Sequence, residues 1–417
     1  MCGINGIISK DKNKDKLIKS MNEKILHRGP DAEGIFVEGD VALGQRRLSI
    51  IDLAGGNQPI YNEDKSILIM YNGEVYNYKE LKEELTEYKF ETESDTEVVL
   101  HGYEKWGHDL PKKLRGMFAY AIYDKNKGEI FISRDQFGIK PLYYYHDGDT
   151  ILFGSEIKSF LAYPKFKKVL NKELLGAYLT FSFTPTDETF FKGVYRLPSG
   201  HSMTIDVKKR KIKIDRYFKV EFGNTDKSFD EVVEEIGKAM KDSTDHHLIS
   251  DVEVGSFLSS GVDSSYLVSL AKPDKTYTIG FDLAKYSEID YAKDLTDKLN
   301  IKNISEKISK EEYMNALSEV YYHMDEPTAD GCAIAVYFLS RLASKDVKVV
   351  LSGEGADEFF GGYNSYDDNF YTKLPFFIRK SMASICKILP KNKITRYIIR
   401  RGLPLEESYV SINRTYY

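Results

Sequence analysis

Residues 1 to about 205 alternate apolar and polar positions in short runs broken by turn residues. GDVALGQRRLSIIDL, SILIMYNGEVYNY, MFAYAIYDKNKGEIFISRD and GDTILFGSEI combine β-rich runs with Gly, Asn and Asp, which predicts strands and turns. One segment among them, DTEVVLHGYEKWG, has helical spacing. The polar, Lys-rich stretch DVKKRKIKIDRYFKVEFGNTDKSFD predicts the join between two domains, 2–215 and 228–417. Beyond the join, SFDEVVEEIGKAMKDSTDHHLI predicts a helix. Short apolar runs then alternate with helical ones: VEVGSFL before DSSYLVSLA, TYTIGF before DYAKDLTDKLN, and VKVVL before a Gly-rich turn. That alternation predicts a parallel α/β sheet, with ligands beyond the carboxyl ends of its strands. The fold class is therefore a two-domain α+β and α/β chain. The tail, 371–417, is basic and aromatic and predicts an amphipathic helix facing a partner surface.

Composition narrows the classes. A 417-residue chain with 42% hydrophobic and 13% aromatic residues can bury more than one core. A net charge of −5 gives no global argument for nucleic acid or a membrane surface. No apolar stretch approaches the ~20 residues of a membrane helix, and the N-terminus lacks a signal-peptide layout. Three cysteines (Cys2, Cys332, Cys386) at wide spacing form neither a disulfide framework nor a zinc pattern, so a reducing, cytoplasmic setting is expected. The adjacent His246 and His247 read as a helix end rather than a metal site.

Candidate chemistry begins at MCGI. Removal of Met1 would leave Cys2 with a thiol and a free amine on one residue, and that amine could take and return the thiol proton. Taken alone, a buried structural cysteine is the commoner case. Arg47, in RRLSI, offers a guanidinium fork suited to a carboxylate. In YNGEVYN, Asn72 and Gly73 could form an oxyanion hole, and Glu74 could hold an ammonium. Asp95, in ESDTEV, stands at a predicted helix N-cap. Separately these are ordinary turn and cap residues. In this order, with HRGPD (His27 to Asp31), LRGMFAYAIYD, RDQFGIKPLYY and FGSEIKS, residues 1 to about 205 are similar to the class II, N-terminal-nucleophile glutamine amidotransferases. The resemblance implies an αββα sandwich of the Ntn type. It implies Cys2 as nucleophile, Arg47 for the glutamine α-carboxylate, Asn72 and Gly73 for the oxyanion, and Glu74 and Asp95 for the α-ammonium. HRGPD is expected to fix a loop, and Arg134 with Asp135 to lie between the domains.

No Walker-type GxxxxGK[ST] occurs. SFLSSGVDSSYLVSLA instead puts Ser259, Ser260 and Gly261 between a strand ending at Leu258 and a helix starting near Asp263. Such a junction makes an anion cradle, and Asp263 beside phosphate suggests Mg²⁺ between them. An ordinary Ser- or Asp-capped helix is the alternative. The run Ser259 to Ser264 resembles the SGGxDS loop of N-type ATP pyrophosphatases (adenine nucleotide alpha-hydrolase-like), with Ser260 where glycine is usual. A negative φ at Ser260 would make that departure harmless. The resemblance implies Leu258 and Ile279 around adenine, Ser352 and Gly353 against the nucleotide, Glu354 as a base, and Asp357 sharing Mg²⁺ with Asp263. Asp325, Glu326 and Asp330 precede a long helix, where carboxylates often only cap.

The pair of constellations, with LSGEGADEFFGGY, resembles the glutamine-hydrolysing asparagine synthetase family over essentially all of the chain. That implies glutamine, aspartate and ATP as substrates, Mg²⁺ as cofactor, β-aspartyl-AMP as intermediate, and asparagine, AMP, pyrophosphate and glutamate as products. It also implies an apolar passage for ammonia. Neither nucleic acid nor membrane is an expected partner, and a homodimer is an admissible assembly. The family's RVPFLD-like element and polyphosphate lysine are not found before Tyr417, so an incomplete synthetase half is expected. Two alternatives stay open: a related amidotransferase or cyclase acting on another carboxylate, as in the β-lactam synthetase group, or a glutaminase-only or non-catalytic fragment.

Overall fold

The computed structural model describes residues 1–282, 287–326, 328, 331–363, 370–404 and 407. Twelve strands build the first half: β1 (Gly3–Ile8), β2 (Ala32–Glu38), β3 (Val41–Arg47), β4 (Ile60–Tyr61), β5 (Ile67–Val75), β6 (Gly116–Asp124), β7 (Glu129–Arg134), β8 (Tyr143–His146), β9 (Ile151–Gly154), β10 (Val194–Arg196), β11 (His201–Asp206) and β12 (Lys211–Arg216). They form two antiparallel six-stranded sheets, ordered β10-β8-β9-β1-β3-β2 and β12-β11-β7-β6-β5-β4. Helices α1 (Lys14–Lys24), α2 (Tyr78–Glu84) and α3 (Asp95–Trp106) cover the outer faces, and the short α4 (Leu175–Phe181) follows β9.

Period-2 alternation assigns the layers. Ile4 and Ile8 of β1 face Leu68 and Met70 of β5 between the sheets. Ile7 faces the other way, onto Ile18 and Met21 of α1. Ile67, Ile69 and Tyr71 face outward onto Leu81, Val98 and Val99 of α2 and α3. The result is a four-layer αββα sandwich, as the resemblance implied.

The Lys-rich join is shorter than its composition suggested. KIKIDR within it forms β12, paired with β11 along its whole length. Alternation decided this, since lysines are well suited to an exposed edge strand.

The second half opens with α5 (Phe229–His247), started by a Ser228–Glu231 capping box and ending on His246 and His247 as expected. It continues with β13 (Val254–Phe257), α6 (Val262–Ala271), β14 (Lys275–Phe281), α7 (Ile289–Leu299), β15 (Lys302–Ile308), α8 (Lys310–Met324), α9 (Cys332–Ala343), β16 (Val349–Leu351) and α10 (Ala356–Phe360). The four strands are parallel in the order β15-β14-β13-β16. Ala316, Val320, Ile334 and Phe338 of α8 and α9 pack on one face against Tyr277 and Ile279. Val268 of α6 and Ala292 of α7 pack with Leu258 in a second, smaller cluster. In the tail, α11 (Phe370–Lys373) precedes α12 (Phe376–Cys386) and α13 (Lys393–Arg401). Among the described residues, no helix is long and apolar enough to cross a membrane.

Candidate active sites

β1 starts at Gly3, so Cys2 sits at the mouth of a central strand. Its Sγ accepts the Leu48 N–H at 3.3 Å and lies 3.6 Å from the Leu48 carbonyl. Its own carbonyl accepts from Arg28 Nε at 2.8 Å. Arg47, the last residue of β3, is buried. Its guanidinium donates to Asn57 Oδ1 and to the carbonyls of Ile51, Asp52 and Leu53. All four partners are neutral, which leaves a buried positive charge available to an anionic ligand.

Asn72, Gly73 and Glu74 lie among the last residues of β5, which ends at Val75. A Cβ on Gly73 would fall 2.6 Å from the Met117 carbonyl, so only glycine lets β5 and β6 approach this closely. Asn72 Nδ2 and Glu74 Oε2 are buried without a partner. Buried polar atoms are normally paired, so two orphans two residues apart on one strand mark a place for a polar ligand. Asp95 is the first residue of α3, and the cap is Ser94, which accepts from Thr96 N. The Asp95 carboxylate turns inward and accepts from Tyr71 Oη at 2.7 Å and Val75 N at 2.9 Å.

Burial sets the electrostatics. It raises the Cys2 thiol, against the opposing Leu48 N–H. It also lowers the terminal amine to about 5. Glu74 is pushed well above the usual carboxyl range, first by burial and then by Asp95. Burial raises Asp95 as well, while the Val75 N–H and the Tyr71 hydroxyl oppose it.

Lys140 joins this group, and sequence reasoning passed over it. It is buried, its ammonium reaches Met1 Sδ at 3.2 Å, and burial lowers its pKa while Glu74 supports its charge. The available signal was a lysine in RDQFGIKPLYY beside two residues already singled out. Those two, Arg134 and Asp135, do not lie between the halves. Arg134 donates to the carbonyls of Gly138, Lys140 and Leu197, and Asp135 accepts from the N–H groups of Phe118, Phe137, Ile139 and Lys140. A buried charge pair is here consumed in shaping the loop that carries Lys140. Phe137, at that loop's tip, makes the outside contact, edge-on to Phe359 of α10.

The second site is a cavity of about 230 Å³ at the carboxyl ends of β13, β14 and β16. Leu258, Ser259, Gly261, Asp263, Ser264, Ile279, Ser352, Gly353, Glu354 and Asp357 all line it. Gly261 is the N-cap of α6 and offers no side-chain cap, while its N–H donates to Ser259 Oγ at 3.1 Å. The side-chain-capped alternative is therefore not what forms, and the turn is left to accept an anion. Ser259 and Ser264 bond each other across the loop at 2.9 Å. A Cβ on Gly353 would stand 3.1 Å from Ser264 N, so glycine keeps the two loops close. Ser260 is not part of the lining. It avoids positive φ, as required, but its hydroxyl turns away to Glu288 at 2.7 Å. Glu288, Glu358 and Tyr363 also line the cavity and were not anticipated. Glu358 and Tyr363 come from one segment and Glu288 from another, and the fold brings the two together. Asp330 lies outside the described residues.

Asp325 and Glu326 do not cap α9; they cross to the first half. Asp325 accepts from Ile157 N at 2.6 Å and pairs with Lys158 at 3.0 Å. Lys158 also pairs with Glu156, which accepts from His27 at 2.9 Å and Arg28 at 3.0 Å. Glu326 accepts from Phe190 N at 3.0 Å and Arg196 at 2.7 Å. HRGPD thus does more than fix a loop, since its Asp31 pairs with Lys348 of the second half at 2.6 Å.

An αββα sandwich with a thiol at the mouth of a central strand, joined to a parallel α/β half with a Ser/Gly-rich cradle, defines a class: two-domain glutamine amidotransferases whose second half handles a nucleotide. Residues 1–218 match the glutamine amidotransferase domain family, and residues 235–402 match the asparagine synthase family. Asparagine synthetase [glutamine-hydrolyzing] 1 of Bacillus subtilis is 42% identical over 98% of this chain and 67% of its own length. A Methanocaldococcus jannaschii protein that bears the same name provisionally is 38% identical over 91% of this chain and 79% of its own length. Asparagine synthetase [glutamine-hydrolyzing] 3 of Bacillus subtilis is 34% identical over 87% of this chain and 63% of its own length. The chain belongs to the glutamine-hydrolysing asparagine synthetase family.

Proposed function

We propose that this protein makes L-asparagine from L-aspartate, using ATP and ammonia taken from glutamine, and that it divides into a glutaminase unit, 2–215, and a synthetase unit, 228–417. The observation that carries the glutaminase half is the pair of unpartnered buried atoms, Asn72 Nδ2 and Glu74 Oε2, with Glu74 close enough to act electrostatically on the Cys2 thiol. In this reading Arg47 takes the glutamine α-carboxylate, and Glu74 and Asp95 take the α-ammonium. Once Met1 is removed, the Cys2 amine and thiol belong to one residue, and the amine can accept the thiol proton. The thiolate attacks the carboxamide carbon, and Asn72 and Gly73 donate to the oxyanion. The amine returns its proton to departing ammonia, and water hydrolyses the thioester to glutamate.

In the synthetase half, Leu258 and Ile279 flank the adenine, and Ser259, Gly261, Ser264, Ser352 and Gly353 hold the phosphates. Ser260 contributes through its backbone alone. The aspartate β-carboxylate displaces pyrophosphate from ATP to form β-aspartyl-AMP. Ammonia then attacks the acyl carbon and expels AMP, with Glu354 accepting a proton. Magnesium, when bound, neutralises phosphate charge. Asp263 and Asp357 would hold it, and two carboxylates suffice because Mg²⁺ takes its other ligands from phosphate and water. No cluster of three metal-ligating side chains occurs among the described residues, which suits a shared rather than a dedicated site. A cytoplasmic location and a homodimer, checked by mass in solution, complete the reading.

The test is glutamine-dependent formation of AMP and asparagine in one assay. Glutamate release without asparagine would leave only a glutaminase. AMP formed with a carboxylate other than aspartate would point to the related amidotransferases.

A further inference from the structure

Asp31 makes three bonds around one short segment. Its N–H donates to the Arg47 carbonyl at 3.0 Å. Its Oδ2 accepts from Ser49 N at 2.9 Å and from Lys348 Nζ at 2.6 Å. Residues 47 and 49 are thereby held on either side of Leu48, whose N–H bonds the Cys2 thiol. Lys348 belongs to the other half and immediately precedes β16, whose far end opens into Ser352, Gly353 and Glu354 of the nucleotide cavity. Four residues of extended chain span roughly 13 Å. One three-residue strand therefore has the nucleotide loop at its carboxyl end and the cation that restrains the thiol's loop at its amino end. The ion pair is only half-exposed, at 41% and 29%, and Lys348 holds the Asp31 carboxyl below its usual range.

We propose that Lys348 is a positioning residue of the glutamine site: from the synthetase half, through Asp31, it fixes the 47–49 segment that holds the Cys2 thiol and carries Arg47. Its kinetic consequence rests on the glutaminase reading above; its structural consequence does not. Lys348→Met keeps the apolar stem and removes the charge. Lys348→Arg keeps the charge. Asp31→Asn keeps an oxygen for Ser49 N–H and removes the attraction for Lys348.

Two measurements on the full chain test it. Amide hydrogen exchange of the peptide spanning Leu48 and Ser49 should quicken roughly three- to tenfold in Lys348→Met and in Asp31→Asn, and stay within twofold in Lys348→Arg. The glutamine KM of hydrolysis should rise by a similar factor in the first two variants, with kcat changed less than KM. Unchanged exchange at Leu48 and Ser49 in Lys348→Met overturns the proposal whether or not the protein hydrolyses glutamine. Faster exchange with unaltered glutamine kinetics in an active enzyme overturns the positioning role. An inactive wild type refutes the glutaminase reading alone, and exchange still decides whether Lys348 holds the segment.

Discussion

At the scale of single residues, burial dominates. The Cys2 thiol is pushed above its ordinary range, so little thiolate exists before substrate binds. The base must act in place, and the nearest candidate is the residue's own amine. A preparation in which Met1 is retained, through inhibition of the methionine aminopeptidase, should lose glutaminase activity by roughly 100-fold or more, because an amide nitrogen cannot accept the proton. Intact mass paired with a glutaminase assay checks this, and an active enzyme still carrying Met1 contradicts it. Glu74→Gln removes a charge from the expected ammonium pocket and should raise the glutamine KM by roughly 30-fold or more, since an ammonium would then lose its counter-charge in a buried site. Steady-state kinetics with glutamine read it, and an unchanged KM would remove Glu74 from the binding set. Cys2, Arg47, Asn72, Glu74 and Asp95 were legible because each stands in a short run whose order is informative. Lys140 and Glu288 were not: a lysine in a loop and a glutamate before a helix look like solvated surface until the chain folds over them.

At the scale of elements, α3 shows how a helix can carry buried charge. His101 is almost wholly buried between Glu97 and Glu104, at 3.5 and 2.7 Å. Burial opposes its charge, yet the two carboxylates outweigh burial and raise its pKa from 6.5 to about 9. A group raised on folding stabilises fully below its unfolded value and ceases to as pH passes its folded value. The stability contributed by His101 is therefore complete below pH 6.5 and is lost as pH rises through about 9. The thermal midpoint should fall between pH 7 and pH 10, and His101→Gln should flatten that slope. Equal slopes in both proteins would sink the assignment. Element type was read well where periodicity was clean, as in β5, β6 and α3. It was misread where composition spoke louder than pattern: the lysines of β12 looked like a linker, but their alternation with Ile212 and Ile214 made a strand. The carboxylates before α9 looked like caps because their partners, Lys158 and Arg196, lie more than a hundred residues away.

At the scale of the whole molecule, each half has its own hydrophobic clusters, and polar ties join the halves alongside apolar contacts such as Ile249 on the first-half core and Phe137 on Phe359. Such interfaces usually permit relative motion. Here several ties are partly or wholly buried, and two of them lead to Arg47 and Cys2. Asp251 bonds Ile50 and Asp52, the latter beside the Arg47 cradle. Asp325 meets Lys158, which leads through Glu156 and Arg28 to the Cys2 carbonyl. Glu326, at 9% exposure, serves both a backbone N–H and the Arg196 guanidinium. Truncating it leaves a half-buried cation and an amide without their acceptor, and breaking such a pair costs about 3–5 kcal/mol. Because each half holds buried clusters of its own, that loss should fall on the coupling between them. The wild type is expected to unfold in one calorimetric transition and Glu326→Ala in two. Glu326→Gln, which keeps an oxygen for Phe190 N–H, should lie between. A single transition in Glu326→Ala, at the wild-type temperature, would show that the halves are joined by something other than these polar ties.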